Sequence, residues 1–474
     1  MGKTISIKKA ILLTAIAKYF KVISNLIFTI ILARLLTPND YGIVAIYSVF
    51  LNFFCLFSDM GVSAAIIQNK RLNLFDYEHI FSFLIYVGIL LYILFTIFLY
   101  GLSVFYDNDI YFKLSVYLSF ILFFSTLNMV PNALLLKNKC FVNTSIRAIV
   151  TSLFGGVVTV YLAYINYGVY SIVIGNLFSC IIVYLWNEWT VKLKFHWKIN
   201  FISIKKIFAF SIYEFANNFI LYFLRNLDNL LAGKIMGAIS LGYYNKAFML
   251  SQYPISMISN VIAPVLHPFF SEYQNDIDQL YQKHLCITKI FLMIGIPLSE
   301  FVYIASNDLV MIMYGSGWEL SASCLMWFGL SIAFQLAASC ISVFFKCLGD
   351  TKELFKSTLL CIFINAFAII FGLVSHDIVV LSQAVSISYV LQFFVYNIYL
   401  IRFCLKKTLA KFLNDIRFLI ADFFVLIIVC SYINEFICSC IYYIIIKFIV
   451  VLIATMFLYI VTGDIKFIKK YLHR

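Results

Sequence analysis

Apolar runs of about 20 residues recur from one end of this 474-residue chain to the other, and each is long enough to cross a hydrocarbon core of about 30 Å. Lipid offers no partner to a peptide N–H or C=O. A run of this kind must satisfy its own backbone, and an α-helix does so within one segment. The alternation of roughly ten-residue strands with short turns that a barrel needs is absent. The expected fold class is therefore an all-α integral membrane protein. Composition leaves no alternative in water: 12% of residues are charged and 63% are hydrophobic, against about 25% charged in a soluble domain.

Turn residues and charges divide the chain into about fourteen candidate transmembrane spans. Their limits are 10–33, 41–68, 79–100, 112–136, 145–166, 169–190, 207–233, 242–270, 284–305, 319–345, 355–374, 378–401, 418–434 and 440–462. Lysine and arginine orient them. With the N-terminus inside, the inner segments hold 27 of the 35 basic residues, and the outer connections hold only Arg34, Lys113 and Lys234. Lys18, Lys21, Arg225, Lys246 and Lys447 fall within spans. Both termini are expected to be cytoplasmic. The net charge of +13 is thus mostly a loop bias. It needs no nucleic acid as partner, and it favours the anionic headgroups of the bilayer.

Lys8 and Lys9 precede an apolar stretch in which Ala15-Ile16-Ala17 faintly resembles a cleavage site. That stretch runs on to Ala33, too long for a removable signal, and is read as the first span. The outer connections are all short, the longest lying near Ser306–Trp318, and none is domain-sized. This disfavours membrane polymerases and ligases, which need an extramembrane loop for their chemistry. The twelve cysteines are scattered, with Cys438 and Cys440 the one close pair, so neither a disulfide framework nor a zinc site is expected. His196, His267, His284, His376 and His473 stand in loops or near ends, His79 stands at a span entrance, and none is expected to cluster. No nucleophile elbow, phosphate loop or sugar-nucleotide motif occurs. No catalytic residue, metal or cofactor is expected.

A weak internal repeat is visible. Ala33-Arg34-Leu35-Leu36, followed by Tyr41-Gly42, closes the first span and opens the second. Ala232-Gly233-Lys234-Ile235, followed by Gly242-Tyr243, does the same for the seventh and eighth. Six spans separate the copies, which implies two parallel six-helix lobes, 1–200 and 201–405, and two further helices over 406–474.

Charge inside lipid is expensive, about 2.5–3.5 kcal/mol per residue on insertion scales, so its placement carries information. At about 100° per residue, Glu214, Asn217, Asn218, Arg225, Asp228 and Asn229 share one face of the seventh span over about 22 Å. In the first span Thr14, Lys18, Lys21, Asn25 and Thr29 share a face. Asn52 and Asp59 do so in the second, and the eighth adds Lys246. One reading is a hydrated cavity lined by spans 1, 2, 7 and 8. The other is interhelical ion pairs and hydrogen bonds that only hold a bundle together, with Arg225 pairing Asp228 on its own helix and Lys18 and Lys21 snorkelling to the interface. Those two lysines have no acid on their helix, which suits an anionic ligand such as phosphate or diphosphate. Asp59, Glu214 and Asp228 are the candidates for H⁺ or Na⁺ coupling or for gating. Pro254, Pro264, Pro268 and Pro297 mark places where helices can bend.

ARLLTPNDYGIVAIYSVFLNFFCLFSDMGVSAAIIQ (33–68), RNLDNLLAGKIMGAISLGYYNKAFML (225–250) and FKCLGDTKELFK (345–356) together resemble the Wzx-type polysaccharide flippases, in their colanic acid and teichuronic acid exporter branch. The matching positions are Arg34, Asp59, Gly61, Arg225, Asp228, Gly242 and Tyr243. The family has a cation nearer the end of the second motif, where this chain has Lys246 and then Met249. The resemblance implies the multidrug/oligosaccharidyl-lipid/polysaccharide exporter fold, with two six-helix lobes in a V and two added C-terminal helices. It implies an undecaprenyl-diphosphate-linked oligosaccharide as substrate, flipped across the bacterial cytoplasmic membrane, and a polysaccharide polymerase and chain-length machinery as partners. Lys18, Lys21, Asn25, Arg34, Asn217, Asn218, Arg225 and Lys246 are then the expected contacts of diphosphate or sugar. A drug or metabolite antiporter of the same superfamily, or a membrane polymerase or ligase, remains the alternative.

Overall fold

The computed structural model describes residues 7–68, 72–138, 140–205, 222, 227–271, 276–348, 350–436 and 441–463. Everything described is helix or short connection, and ten helices are long and apolar enough to cross a membrane. The chain is a multi-pass membrane protein with the all-α fold expected from its apolar runs. It divides into two compact units, Met1–Lys234 and Ile235–Arg474.

In the first unit α1 (Ile7–Leu35) is followed after two residues by α2 (Pro38–Asp59). The turn between them has a local cause. Thr37 accepts the Asp40 N–H and Asp40 accepts the Thr37 N–H at 2.9 Å, a capping box, with Pro38 at the first helical position. Both motifs start helices. The candidate span 41–68 then breaks. Met60 and Gly61 adopt left-handed backbone, φ 42° and 72°, and α3 (Val62–Gln68) restarts. Glycine takes this conformation without strain. A second capping box, Asn73 with Asp76, opens α4 (Leu74–Phe105).

After the short α5 (Ile110–Lys113), the span 112–136 is divided at Asn128 into α6 (Ser115–Leu127) and α7 (Met129–Lys137). Lys137 reaches back to donate to the Ile66 carbonyl at 2.7 Å and to the Tyr77 hydroxyl at 2.8 Å. It thereby covers an orphan carbonyl at the C-terminal end of α3. α8 (Phe141–Tyr164) crosses α9 (Val169–Val191) at Gly155 and Gly175. A Cβ on Gly155 would lie 1.8 Å from the Ser179 hydroxyl, and one on Gly175 would lie 1.8 Å from that of Thr159. Small residues let membrane helices approach this closely. α10 (Leu227–Ile235) ends the unit.

The second unit holds α11 (Gly237–Ser271), α12 (Ile277–Tyr314), α13 (Glu319–Ala338), α14 (Ile341–Leu348), α15 (Thr351–Val374), α16 (Ile378–Ile398, continued by a π-turn over Tyr399–Cys404), α17 (Leu409–Phe436) and α18 (Ile441–Val461). α12 and α13 pack closely because Gly295 meets Ala333 and Gly329 meets Val302. Buried Phe344, Phe345, Phe393 and Phe412 fill the core around them. One expectation fails here. The supposed outer loop near Ser306–Trp318 is mostly helix, because nothing interrupts α12 before Gly315 at φ 87°. Only Gly315–Trp318 connects it to α13.

Candidate functional site

Of the polar face expected on the first helix, Lys21 and Asn25 are exposed and Thr29 is half-buried, while the side chains of Thr14 and Lys18 lie outside those described. Lys21, Asn25 and Arg34 are all exposed on α1, while Ser24, Leu32 and Ala33 are buried. The burial has a partner: α1 packs on α8, where the ring of Phe28 lies against Gly156. Asn25 is tied to that helix, accepting a hydrogen bond from the Ser152 hydroxyl at 3.4 Å. Lys21, one turn earlier on the same side, has no hydrogen-bond or ionic partner among the described residues. An exposed side chain on a membrane helix faces lipid or water, and a lone ammonium is tolerated only in the second. Lys18 lies in α1, but its side chain is outside those described.

Asp59 has a structural task. It is the last residue of α2, and its Oδ1 accepts the Ser63 N–H at 3.3 Å across the Met60–Gly61 break. It therefore satisfies one of the N–H groups left open at the start of α3. Asn52 is exposed on α2. Tyr222, of the seventh candidate span, donates from its hydroxyl to the Val49 carbonyl of α2 at 2.5 Å and sets its ring beside Phe53. Lys234, at the end of α10, donates to the Phe105 carbonyl and stands over that ring at 4.5 Å. Tyr222 of the seventh span and Lys234 just after it thus both contact elements of the first unit. Glu214, Asn217, Asn218 and Arg225 lie outside the described residues. Asp228 lies in α10 with its side chain outside those described.

Lys246 belongs to a different environment. It is 3% exposed, within α11, and its ammonium lies 5.4 Å from the centre of the Tyr314 ring, whose hydroxyl donates to the Lys246 carbonyl at 3.3 Å. A cation over an aromatic face is held by the ring quadrupole. The structure therefore does not place Lys246 on an exposed face as it does Lys21 and Arg34.

Several polar groups escaped the sequence reading. Arg147 sits in the first turns of α8, which begins earlier than the span limit of 145. Its guanidinium donates to Asn187 of α9 and, at 2.9 Å, to Asn132 of α7. Asn187 donates in turn to Asn128 at the α6–α7 break, and Trp186 donates to Asn143 at 2.5 Å. His79, at its span entrance, meets a histidine far away in the sequence. His79 and His196 stack with ring centroids 4.7 Å apart, and His196 Nε2 lies 2.8 Å from Glu78 Oε2. Tertiary packing brings the segment after α9 back onto α4, where Ser203 also donates to Asp76 at 2.7 Å. In the second unit Lys447 of α18 pairs with Asp308 of α12 at 2.7 Å, both buried.

Comparison with solved structures gives the fold a precedent. The lipid II flippase MurJ, in an inward closed conformation, superposes with a TM-score of 0.74 over 96% of this chain and 99% of that one, at 17% identity. Among curated proteins, an uncharacterized membrane protein in the cps region of Klebsiella pneumoniae is 25% identical over 65% of this chain and 64% of its own length. The succinoglycan biosynthesis transport protein ExoT of Rhizobium meliloti is 19% identical over 74% and 71%. The match thus spans somewhat under two thirds of the length of the first of these relatives. The family of polysaccharide biosynthesis proteins matches residues 31–323, more than half of the sequence, and the chain belongs to that family.

Proposed function

We propose that this chain is a flippase that moves an undecaprenyl-diphosphate-linked oligosaccharide repeat unit from the inner to the outer leaflet by alternating access, supplying O-antigen, capsule or exopolysaccharide synthesis. The observation that carries the reading is the exposed pair Lys21 and Asn25 on one side of α1, in a chain with the fold of a lipid II flippase. A sugar unit on a diphosphate cannot cross hydrocarbon alone, because its charge and hydroxyls lose their hydration. Ammonium and guanidinium groups replace the water around the diphosphate with charge-assisted bonds, and side-chain amides bond hydroxyls. The polyprenyl tail needs no such help and stays in lipid.

In this reading Lys18, Asn217, Asn218 and Arg225 complete the cationic and amide surface. Driving force comes from H⁺ or Na⁺, with Asp59, Glu214 and Asp228 as sequence candidates for the coupling acids. The protein sits in the bacterial cytoplasmic membrane with both termini inside, all fourteen spans formed, and hands its product to a polymerase and its chain-length partner. No covalent chemistry is assigned to it.

The test is to delete the gene and locate the lipid-linked oligosaccharide by leaflet. Accumulation on the inner leaflet supports flipping. Accumulation of unpolymerised units already on the outer face instead makes the chain a polymerase or ligase. Intact surface polysaccharide after replacement of Lys18, Lys21 and Arg225 makes it a drug or metabolite antiporter.

A further inference from the structure

α12 buries a carboxyl group that the fold leaves unsatisfied. Glu300 is 0% exposed, and neither of its oxygens has a hydrogen-bond partner among the described residues. One turn further on, Ile304 packs on Cys430 of α17 and Val451 of α18, with Phe301 and Tyr303 around them. Two turns on, Asp308 Oδ2 accepts a hydrogen bond from Lys447 Nζ at 2.7 Å, and Nζ also donates to the Ile304 carbonyl at 3.1 Å. Lys447 and Asp308 are 2% and 4% exposed. Glu300 therefore belongs to a buried joint that fastens the two C-terminal helices to α12.

The titratable groups of this joint can be named. α12 contributes Glu300 and Asp308, α17 contributes Cys430, and α18 contributes Lys447. Asp422 lies two turns before Cys430 and is bonded to Thr462 at 3.4 Å. From α13, Glu319 stands at the far start of the helix and Cys324 donates to the Ile378 carbonyl. Lys246 of α11 and Tyr314 lie about four turns outward of Glu300.

The charge count is unusual. Apart from Asp422, which lies about two turns from Cys430 and accepts from Thr462, the joint has one cation and two acids. With both acids ionised it carries a net negative charge, and one carboxylate has no counter-ion in an apolar interior, which is strongly disfavoured. One added proton makes it neutral. In the observed arrangement Lys447 neutralises Asp308, so that proton belongs on Glu300. Lys447 is a point charge on a flexible four-carbon stem. If it turns inward along α12 to Glu300, then Asp308 becomes the acid that needs the proton. Glu300 and Asp308 lie about 12 Å apart along the axis.

We propose that Glu300, Asp308 and Lys447 form a proton-binding site whose occupancy alternates between the two acids as the Lys447 ammonium moves. When Lys447 arrives, the O–H bond of Glu300 breaks and its proton passes to water. When Lys447 leaves Asp308, that carboxylate takes a proton from water. Lys447 remains an ammonium throughout, and the joint stays neutral in both states. The two acids lie at different depths in the bilayer, so the exchange moves a proton part of the way across it. Coupling of that movement to cargo rests on the flippase reading. The proton site itself does not.

The test uses the full-length chain reconstituted in liposomes. Infrared spectra at neutral pH should show the carbonyl stretch of a protonated, non-hydrogen-bonded carboxyl group, absent in E300Q. In D308N the freed lysine should ionise Glu300, and the band should again be lost while Glu300 is intact. Thus D308N gives an answer even if E300Q folds poorly. A wild-type spectrum without the band, or a band that persists in D308N, overturns the site. Translocation of lipid-linked oligosaccharide should then rise severalfold with an imposed pH gradient in wild type and lose that dependence in E300Q. An E300Q protein that still follows the gradient overturns the coupling. A wild-type protein that moves no such lipid, yet shows the band, removes the flippase reading and leaves the proton site standing.

Discussion

The first helix of one unit and the last helix of the other treat a lysine inside the membrane in opposite ways. Lys447 on α18 is buried, pairs with Asp308 at 2.7 Å and donates a second bond to the Ile304 carbonyl. Lys21 on α1 is exposed, without a hydrogen-bond or ionic partner among the described residues, beside Asn25. Both lie in helices whose remaining residues are overwhelmingly apolar. The difference is that one cation is consumed by the fold and the other is left over from it. A transporter of an anionic headgroup needs charges of the second kind, whose counter-ion is the cargo. Charges of the first kind fix helices or store protons. A count of intramembrane lysines does not separate the two. Burial and partners do.

The largest effect should come from breaking the buried pair. K447M leaves Asp308 without a counter-ion, and loss of one partner of a buried pair costs about 3–5 kcal/mol. The expected outcome is a marked fall in thermal stability in detergent, followed by size-exclusion chromatography. Replacing both partners with apolar residues, K447M with D308L, should recover most of that loss. If K447M melts like wild type, the pair is not what holds α18 to α12, and the contrast with Lys21 collapses. The Arg147 network should come next. R147A strips Asn187 and Asn132 of a charged donor; of the two only Asn187 is buried, and one buried amide oxygen left unsatisfied costs about 1–3 kcal/mol. The same melting measurement should show a smaller but clear drop.

The other side of the comparison should appear in transport. K21Q removes an exposed cation from the middle of α1, and R34Q one from its C-terminal turn on another side. One charge-assisted bond is worth about 1.5–3 kcal/mol, so each should slow translocation of lipid-linked oligosaccharide by roughly tenfold or more, at about 1.4 kcal/mol per factor of ten. For K21Q, stability should change by no more than about 0.5 kcal/mol, as at other surface positions. A K21Q protein that transports normally but melts early would place Lys21 with Lys447 as a charge that serves the fold.

Much of the fold was legible because its causes are local. The apolar runs mark the helices, and the segment LLTPND is a turn and a capping box before it is a family motif. The period that placed Lys21 and Asn25 on one side of α1 is also local, and the structure keeps them there. What was not legible depends on partners far away in the chain. The sequence shows Lys447 and Asp308 as charges in or beside apolar runs, but nothing in it says that residues 139 positions apart will meet. His79 and His196 read as isolated because only the return of the chain after α9 stacks them. Glu300 stands as a lone acid within an apolar run, and no periodic polar stripe marks it. The break at Met60–Gly61 was hidden by the apolar residues on both sides of it. The face of the seventh span, which carries half of the argument for a cavity, lies largely outside the described residues.

Asp59 offers the smallest effect and the sharpest distinction, because it is claimed by both kinds of role. Its sequence position makes it a candidate coupling acid; its geometry makes it the acceptor for the Ser63 N–H where α3 begins. Asparagine keeps a side-chain oxygen suited to that bond and cannot titrate, whereas alanine loses both. If the capping task is the whole of its role, D59N should match wild type in melting and in transport, and D59A should lose about 1 kcal/mol, the usual value of a cap. The measurement is a pair of melting curves with translocation at two imposed pH gradients. A D59N protein that folds normally but no longer responds to the gradient would show that Asp59 is more than a cap and place the driving ion in the first unit.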